Sequence, residues 1–110
     1  MDNQNKFNIE EGTITFWVKE EEVNWSDYKA TPLFEKSENG SSVFIIKDND
    51  NKIKFFHVYF EKDKTDLEYD VSSLSSNEPH FFAFTWSVED KKLALYIDGK
   101  LKKETSIIKY

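Results

Sequence analysis

The amino-acid sequence predicts an all-β protein: an antiparallel sandwich or jelly roll of one domain. Three observations carry this. Apolar and polar residues alternate with a period of two through most of the chain, the spacing that puts side chains on one face of a strand. Turn-forming stretches separate the alternating runs, at Asn39-Gly40, at Asp48 to Asn51 and at Asp98-Gly99. Finally, 110 residues is the length of a single domain with one core, and no internal repeat or linker divides it, so one domain over 1–110 is expected.

Each element follows from its own pattern. In GTITFWVKE, Ile14, Phe16 and Val18 share one face, and Thr13, Thr15 and Trp17 the other. The stretch from Glu20 to Pro32 is polar and without a sustained period. It reads as a long loop with Trp25 tucked back as an anchor, and Pro32 would stop any short helix there. A short strand is expected around Leu33 to Lys36, before the Asn39-Gly40 turn. VFII and KIKFFHVYF then flank Asp48-Asn49-Asp50-Asn51 as a hairpin, and both are apolar on two faces. Such strands belong in the middle of a sandwich with a capped outer side, or beneath another subunit.

In DLEYDVS, Leu67, Tyr69 and Val71 point inward, and Asp66, Glu68 and Asp70 point the other way. SSLSSNEP is a polar crossover. Phe82, Phe84 and Trp86 alternate with Phe81, Ala83 and Thr85; Leu93, Leu95 and Ile97 alternate with Ala94, Tyr96 and Asp98. Paired around the Glu89-Asp90-Lys91 connection, these two strands make one continuous apolar face. Thr105 to Tyr110 is expected to add a last strand, giving about eight strands and no helix.

Composition excludes several classes of function. The net charge is −6, and all 15 basic residues are Lys. Without Arg, the side chain suited to bidentate phosphate and base contacts is missing, so nucleic-acid binding is not expected. Anionic membrane surfaces are disfavoured by the same acidity, and no apolar run approaches spanning length. The absence of Cys excludes disulfides, thiolate metal sites and Cys nucleophiles. No basic-then-apolar signal opens the chain, and the compartment is left open, since a domain cut from a secreted protein would read the same way.

Three blocks, in order, resemble laminin-G-like, concanavalin A-like jelly rolls. They are Glu11-Gly12-Thr13-Ile14-Thr15-Phe16-Trp17-Val18-Lys19, His80-Phe81-Phe82-Ala83-Phe84-Thr85-Trp86-Ser87 and Leu93-Ala94-Leu95-Tyr96-Ile97-Asp98-Gly99-Lys100. Two departures stand out. Glu78-Pro79-His80-Phe81 replaces the family's Trp-His-His opening, and the chain ends soon after the Asp-Gly hairpin, where members continue into further strands. The resemblance therefore implies a jelly roll truncated relative to the family, whose missing strands leave open edges that invite pairing.

Candidate chemistry is sparse. Asp66, Glu68 and Asp70 resemble, in inverted order, the carboxylate run of lectin-like glucanases. A glycoside hydrolase using Glu68 with Asp66 or Asp70 is the third reading of the sequence, because an ordinary strand with one wet face has the same pattern. Asp48 and Asp50 could hold Ca²⁺, as rim loops of laminin-G-like domains do, or simply form a turn; otherwise no cofactor is expected. His57 and His80 have no Ser, Cys or second His at a useful spacing, and read as structural.

The first reading is therefore a non-catalytic module binding carbohydrate or a protein surface through an aromatic sheet face. Trp17, Phe81 and Tyr96 carry that face if their strands are neighbours, with Trp25 and Tyr28 contributing from the loop at its rim. The rival is a structural, self-associating module, a homodimer in which that same face is hidden.

Overall fold

The computed structural model describes residues 8–61 and 63–110 and holds two four-stranded antiparallel sheets. The strands are β1 (Glu11–Val18), β2 (Thr31–Glu38), β3 (Ser41–Lys47), β4 (Lys52–Tyr59), β5 (Asp63–Asp70), β6 (His80–Ser87), β7 (Lys92–Ile97) and β8 (Lys100–Ser106). Sheet A has the order β1-β6-β7-β8, and sheet B the order β2-β3-β4-β5. The chain thus leaves sheet A after β1, builds all of sheet B, and returns to complete sheet A. No helix occurs among the described residues.

The alternation sorts as expected. Phe82 and Phe84 of β6, Leu93, Leu95 and Ile97 of β7, Ile45 of β3, Ile53 and Phe55 of β4 and Leu67 of β5 are buried between the sheets. Phe55 meets Phe84 edge-on across the two layers, with ring centroids 5.3 Å apart. Trp86 closes one end of this core, and it explains Gly12. The two residues are cross-strand partners, and a Cβ on Gly12 would lie 2.5 Å from the indole ring. The Trp86 indole N–H donates to the Asn8 carbonyl at 2.9 Å.

The tight connections are chemically specified. Asn39-Gly40 and Asp98-Gly99 each place two successive residues at positive φ (54° and 84°, 53° and 84°), the geometry that matches the twist of a two-residue hairpin. Two strands differ from the sequence expectation. β2 runs from Thr31, with Pro32 inside it and a register shift between Pro32 and Phe34; a proline is tolerated there because β2 is an edge strand. The last strand is Lys100–Ser106, starting directly after the Asp98-Gly99 turn. Its three lysines mask any alternation. Residues 107–110 leave the sheet instead: Ile107 enters the core, and Tyr110 stacks on Tyr59 at 4.7 Å and on His57 at 5.6 Å.

The two-faced strands β3 and β4 occupy the centre of sheet B. On the outer side Phe44 and Phe56 stack 6.0 Å apart, the Lys64 ammonium lies 5.1 Å from the Phe56 ring centre, and Ile46 and Val58 are half-buried. The outward apolar side chains therefore cover one another. DLEYD resolves as a strand with one wet side: Asp66, Glu68 and Asp70 are exposed on that outer face, and Leu67 is buried on the inner one.

Candidate functional site

β1, β6 and β7 are neighbours in sheet A, so their outward side chains form one surface. The registers set it out in rows. Trp17 is opposite Phe81; Thr15 is opposite Ala83, which is opposite Tyr96; Thr13 is opposite Thr85, which is opposite Ala94. The predicted aromatic set is thereby brought onto one face, in two parts. Trp17 leans on Phe81 with ring centroids 5.1 Å apart and remains 61% exposed. Tyr96 stands one row along, beyond the small Ala83, beside the exposed Leu101 of β8.

Past Tyr96 the face falls into a shallow depression of about 750 Å³. Small residues make it: Thr13, Thr85 and Ala94 form the floor, while Glu11, Asp90, Lys92 and Glu104 stand around it. Lys92 pairs with Glu104 across 3.9 Å. The surface thus combines an aromatic platform, threonine hydroxyls and a rim of charged groups rich in carboxylates. The rim was not read from the sequence. Asp90 sits in the turn between β6 and β7 and Glu104 in the lysine-rich last strand, and the pairing of β8 with β7 puts Glu104 beside Ala94 at the same depression.

The aromatic end of the face is held by a polar clamp. Asp98 accepts from the Phe81 backbone N–H at 2.9 Å and from His80 Nδ1–H at 2.8 Å, and His80 Nε2–H donates to the Ser75 carbonyl at 2.8 Å. Burial disfavours charge on His80, but the bonds to Asp98 and Ser75 outweigh it and raise the imidazole above its ordinary 6.5. Burial likewise works against the Asp98 carboxylate, and the His80 bond nonetheless lowers its pKa. Both ring nitrogens of His80 are engaged, so this Asp–His pair orients strand β6 and has no nitrogen free to act as a base.

The rim loop behaves differently at its two aromatic residues. Trp25 is 1% exposed and packs on Phe82 (5.3 Å) and His80 (6.3 Å). Its indole is core, which corrects the expectation that it contacts a ligand: an apolar ring in a polar loop gains more from closing the end of the sandwich than from facing water. Tyr28 is 70% exposed, but it sits on the sheet B side, where its N–H donates to Asn51 Oδ1 at 2.8 Å. It is not brought together with Trp17 and Phe81 on the outer side of sheet A.

The same end of the molecule holds a partly buried ion pair. Lys47 is fully buried and its ammonium is bound by Asp27 of the loop. Lys47 continues the inward run Val43, Ile45, and that spacing was the available signal. Asp48 and Asp50, the candidate Ca²⁺ ligands, both contact the Lys54 ammonium at 3.1 Å. Asp48 is lowered by the Asn49 N–H and by Lys54; Asp50 is lowered by Lys54 and the Lys52 N–H against the opposing effect of desolvation. Among the described residues no cluster of three or more His, Asp or Glu is arranged to hold a metal ion.

His57 lies inside, with Nε2–H donating to the Ile9 carbonyl at 3.0 Å and Nδ1 2.6 Å from the Tyr110 hydroxyl. Burial lowers its pKa despite the Ile9 bond, so the neutral ring is favoured and Nδ1 accepts from Tyr110. Of the DLEYD carboxylates, Asp70 accepts from the Ser72 hydroxyl (2.7 Å) and N–H (2.8 Å), which lower its pKa. Glu68 lies 3.6 Å from the Lys52 ammonium.

Two antiparallel sheets packed face to face make the chain a β-sandwich, with an aromatic pair open on the outer face of one sheet. The chain belongs to the Concanavalin A-like lectin/glucanases superfamily, whose laminin G-type family model matches residues 2–109. The fold is similar to that of the botulinum neurotoxin serotype D binding domain (TM-score 0.69, 22% identity, 89% of this chain and 24% of that one). It is also similar to domains LG4-5 of the mouse laminin alpha1 chain (TM-score 0.71, 10% identity, 97% of this chain and 26% of that one). At these identities the likeness is one of fold, and the chain spans about a quarter of each of those chains. No curated protein matches it. Among the described residues no helix is long and apolar enough to cross a membrane.

Proposed function

We propose that this protein is a non-catalytic recognition module that binds carbohydrate on the outer face of sheet A. The observation that carries the reading is the exposed Trp17 ring propped on Phe81, continuous with a depression floored by Thr13 and Thr85. A sugar ring has an apolar face that stacks on an aromatic platform and a fringe of hydroxyls that pair with small polar side chains. Ala83 and Ala94 give a second sugar unit room to follow the first toward Glu104 and Lys92. One of the similar structures is the binding domain of a toxin, which agrees with binding rather than catalysis.

Catalysis on DLEYD has less support. A retaining or inverting hydrolase keeps one carboxyl protonated beside a bound sugar. Here Asp66, Glu68 and Asp70 all stand exposed in water, and Asp70 is held in its ionised form by Ser72. The module also works without Ca²⁺ in this reading, because the Lys54 ammonium already provides the positive charge between Asp48 and Asp50.

Fluorescence titration with a panel of oligosaccharides tests the proposal. Trp17 is the exposed tryptophan, while Trp25 and Trp86 are buried, so a ligand-induced change reports on this face. Binding by the native chain that is lost in Trp17→Ala and kept in Glu68→Gln is the expected result. A chain that binds none of the panel, or that releases reducing ends from it, overturns the reading.

A further inference from the structure

Among the described residues the four edge strands of the sandwich are β1 and β8 in sheet A and β2 and β5 in sheet B. Edges expose unpaired backbone donors and acceptors, and soluble proteins blunt them with charge, proline or bulges. Three of these edges are blunted. β2 carries Pro32 and a register shift; β5 has a charged residue at five of its eight positions; β8 carries three lysines and a register shift opposite Leu95 and Tyr96. β1 has none of these devices. Its register with β6 is unbroken over eight pairs, and from Gly12 to Val18 it holds no charge.

The core beside this edge is also unfinished. Ile14 and Phe16 point inward from β1 and are only half-buried, whereas their cross-strand partners Phe84 and Phe82 are fully buried. One more strand alongside β1 would supply the backbone partners and the apolar cover that the described residues do not.

We propose that this strand is β1 of a second copy, paired antiparallel about Thr15 to form a two-fold dimer with a continuous eight-stranded sheet. The sequence of the strand is self-complementary in that register. Ile14 faces Phe16 of the second copy on the inner side, and Thr13 faces Trp17 on the outer side. At each end Glu11 faces Lys19, the first residue beyond the strand, and both are exposed. Cross-strand apolar and opposite-charge pairs are the favourable ones. Sliding the register by two residues in sum would set Glu11 against Trp17 and lose both ion pairs. Glu10, which the chosen register would bring toward Glu20, is held off the strand by the Tyr59 hydroxyl at 2.8 Å.

The dimer goes beyond the carbohydrate reading and does not depend on it. It leaves the outer face of sheet A open and doubles it. The two Trp17 rings stand four residues apart along the strands and one strand across, a separation of about 14 Å. The pair would serve as a bivalent platform.

Sedimentation or light scattering across a dilution series, without sugar, is the test. The native chain is expected near 26 kDa, twice its 13.1 kDa, falling toward the monomer on dilution. Thr15 is exposed, so Thr15→Lys leaves the core intact while placing two ammonium groups at the two-fold axis, and it should be monomeric. Glu11→Lys and Lys19→Glu should each weaken the dimer by about tenfold or more, since like charges then face each other twice. Mixing these two variants, or combining both changes in one chain, should restore it. Circular dichroism confirms that each variant is folded. A native chain that stays monomeric, a dimer that survives Thr15→Lys, or single charge variants that dimerise as well as the native chain would each overturn the proposal. Because no sugar is present, none of these outcomes bears on the carbohydrate reading.

Discussion

On the outer face of sheet B, Phe44 and Phe56 stack on one another beneath Lys64, and both are half-buried. On the outer face of sheet A, Trp17 leans on Phe81 and keeps most of its ring in water. The two surfaces carry the same kind of residue, outward-facing aromatics on antiparallel strands. Sheet B's outward rings lie on central strands, where long neighbours on both sides cover them. Trp17 lies on an edge strand, with a neighbour on one side and small residues along the next row. Aromatic content alone therefore does not mark a binding face; it is the failure of the surroundings to cover the rings that does.

Mutations can sharpen this contrast, beginning with the core that both sheets share. Phe84→Ala removes a fully buried ring that touches Phe16 and Phe55, and should cost about 3–5 kcal/mol in urea unfolding. Phe56→Ala, on the covered face, should cost about 1–2 kcal/mol, in keeping with a half-buried ring. Trp17→Ala, on the uncovered face, should stay within about 0.5 kcal/mol of the native chain. If Trp17→Ala destabilises as much as Phe56→Ala, the two faces are equivalent and the contrast fails.

A smaller, pH-dependent effect separates the two histidines. His80 has a raised pKa through Asp98 and Ser75, so its stabilisation is full below the unfolded value of roughly 6.5 and is lost as pH rises through the folded value. His57 has a lowered pKa through burial, so its contribution is full above that unfolded value and is lost as pH falls through the folded one. Asp98→Asn should consequently destabilise the protein more on the acid side of pH 6.5 than on the alkaline side. Equal loss at both pH values would show that His80 is not charged in the fold.

Much of the architecture was legible because it rests on local chain properties. Alternation placed Phe82, Phe84, Leu95 and Ile97 inside, and Asn-Gly and Asp-Gly located their hairpins. The aromatic trio was also legible as a set, since parity along a strand fixes the face once the strands are neighbours. The rest depended on partners distant in sequence. Tyr28 was separated from that set by the hydrogen bond from its N–H to Asn51 Oδ1, and Trp25 was withdrawn by packing against Phe82. The depression appeared only when β8 brought Glu104 beside Lys92.

By itself the sequence determined that strands form, where they turn, and which side chains travel together, because two-residue periodicity and positive-φ turns are properties of a few consecutive residues. The tertiary structure decided which of two apolar faces became core in β3 and β4, that Lys47 would be buried against Asp27, and that β1, uncharged from Gly12 to Val18, would be an edge strand among the described residues. Those outcomes depend on strand order and on layer against layer, and burial is shared among residues that the chain keeps far apart.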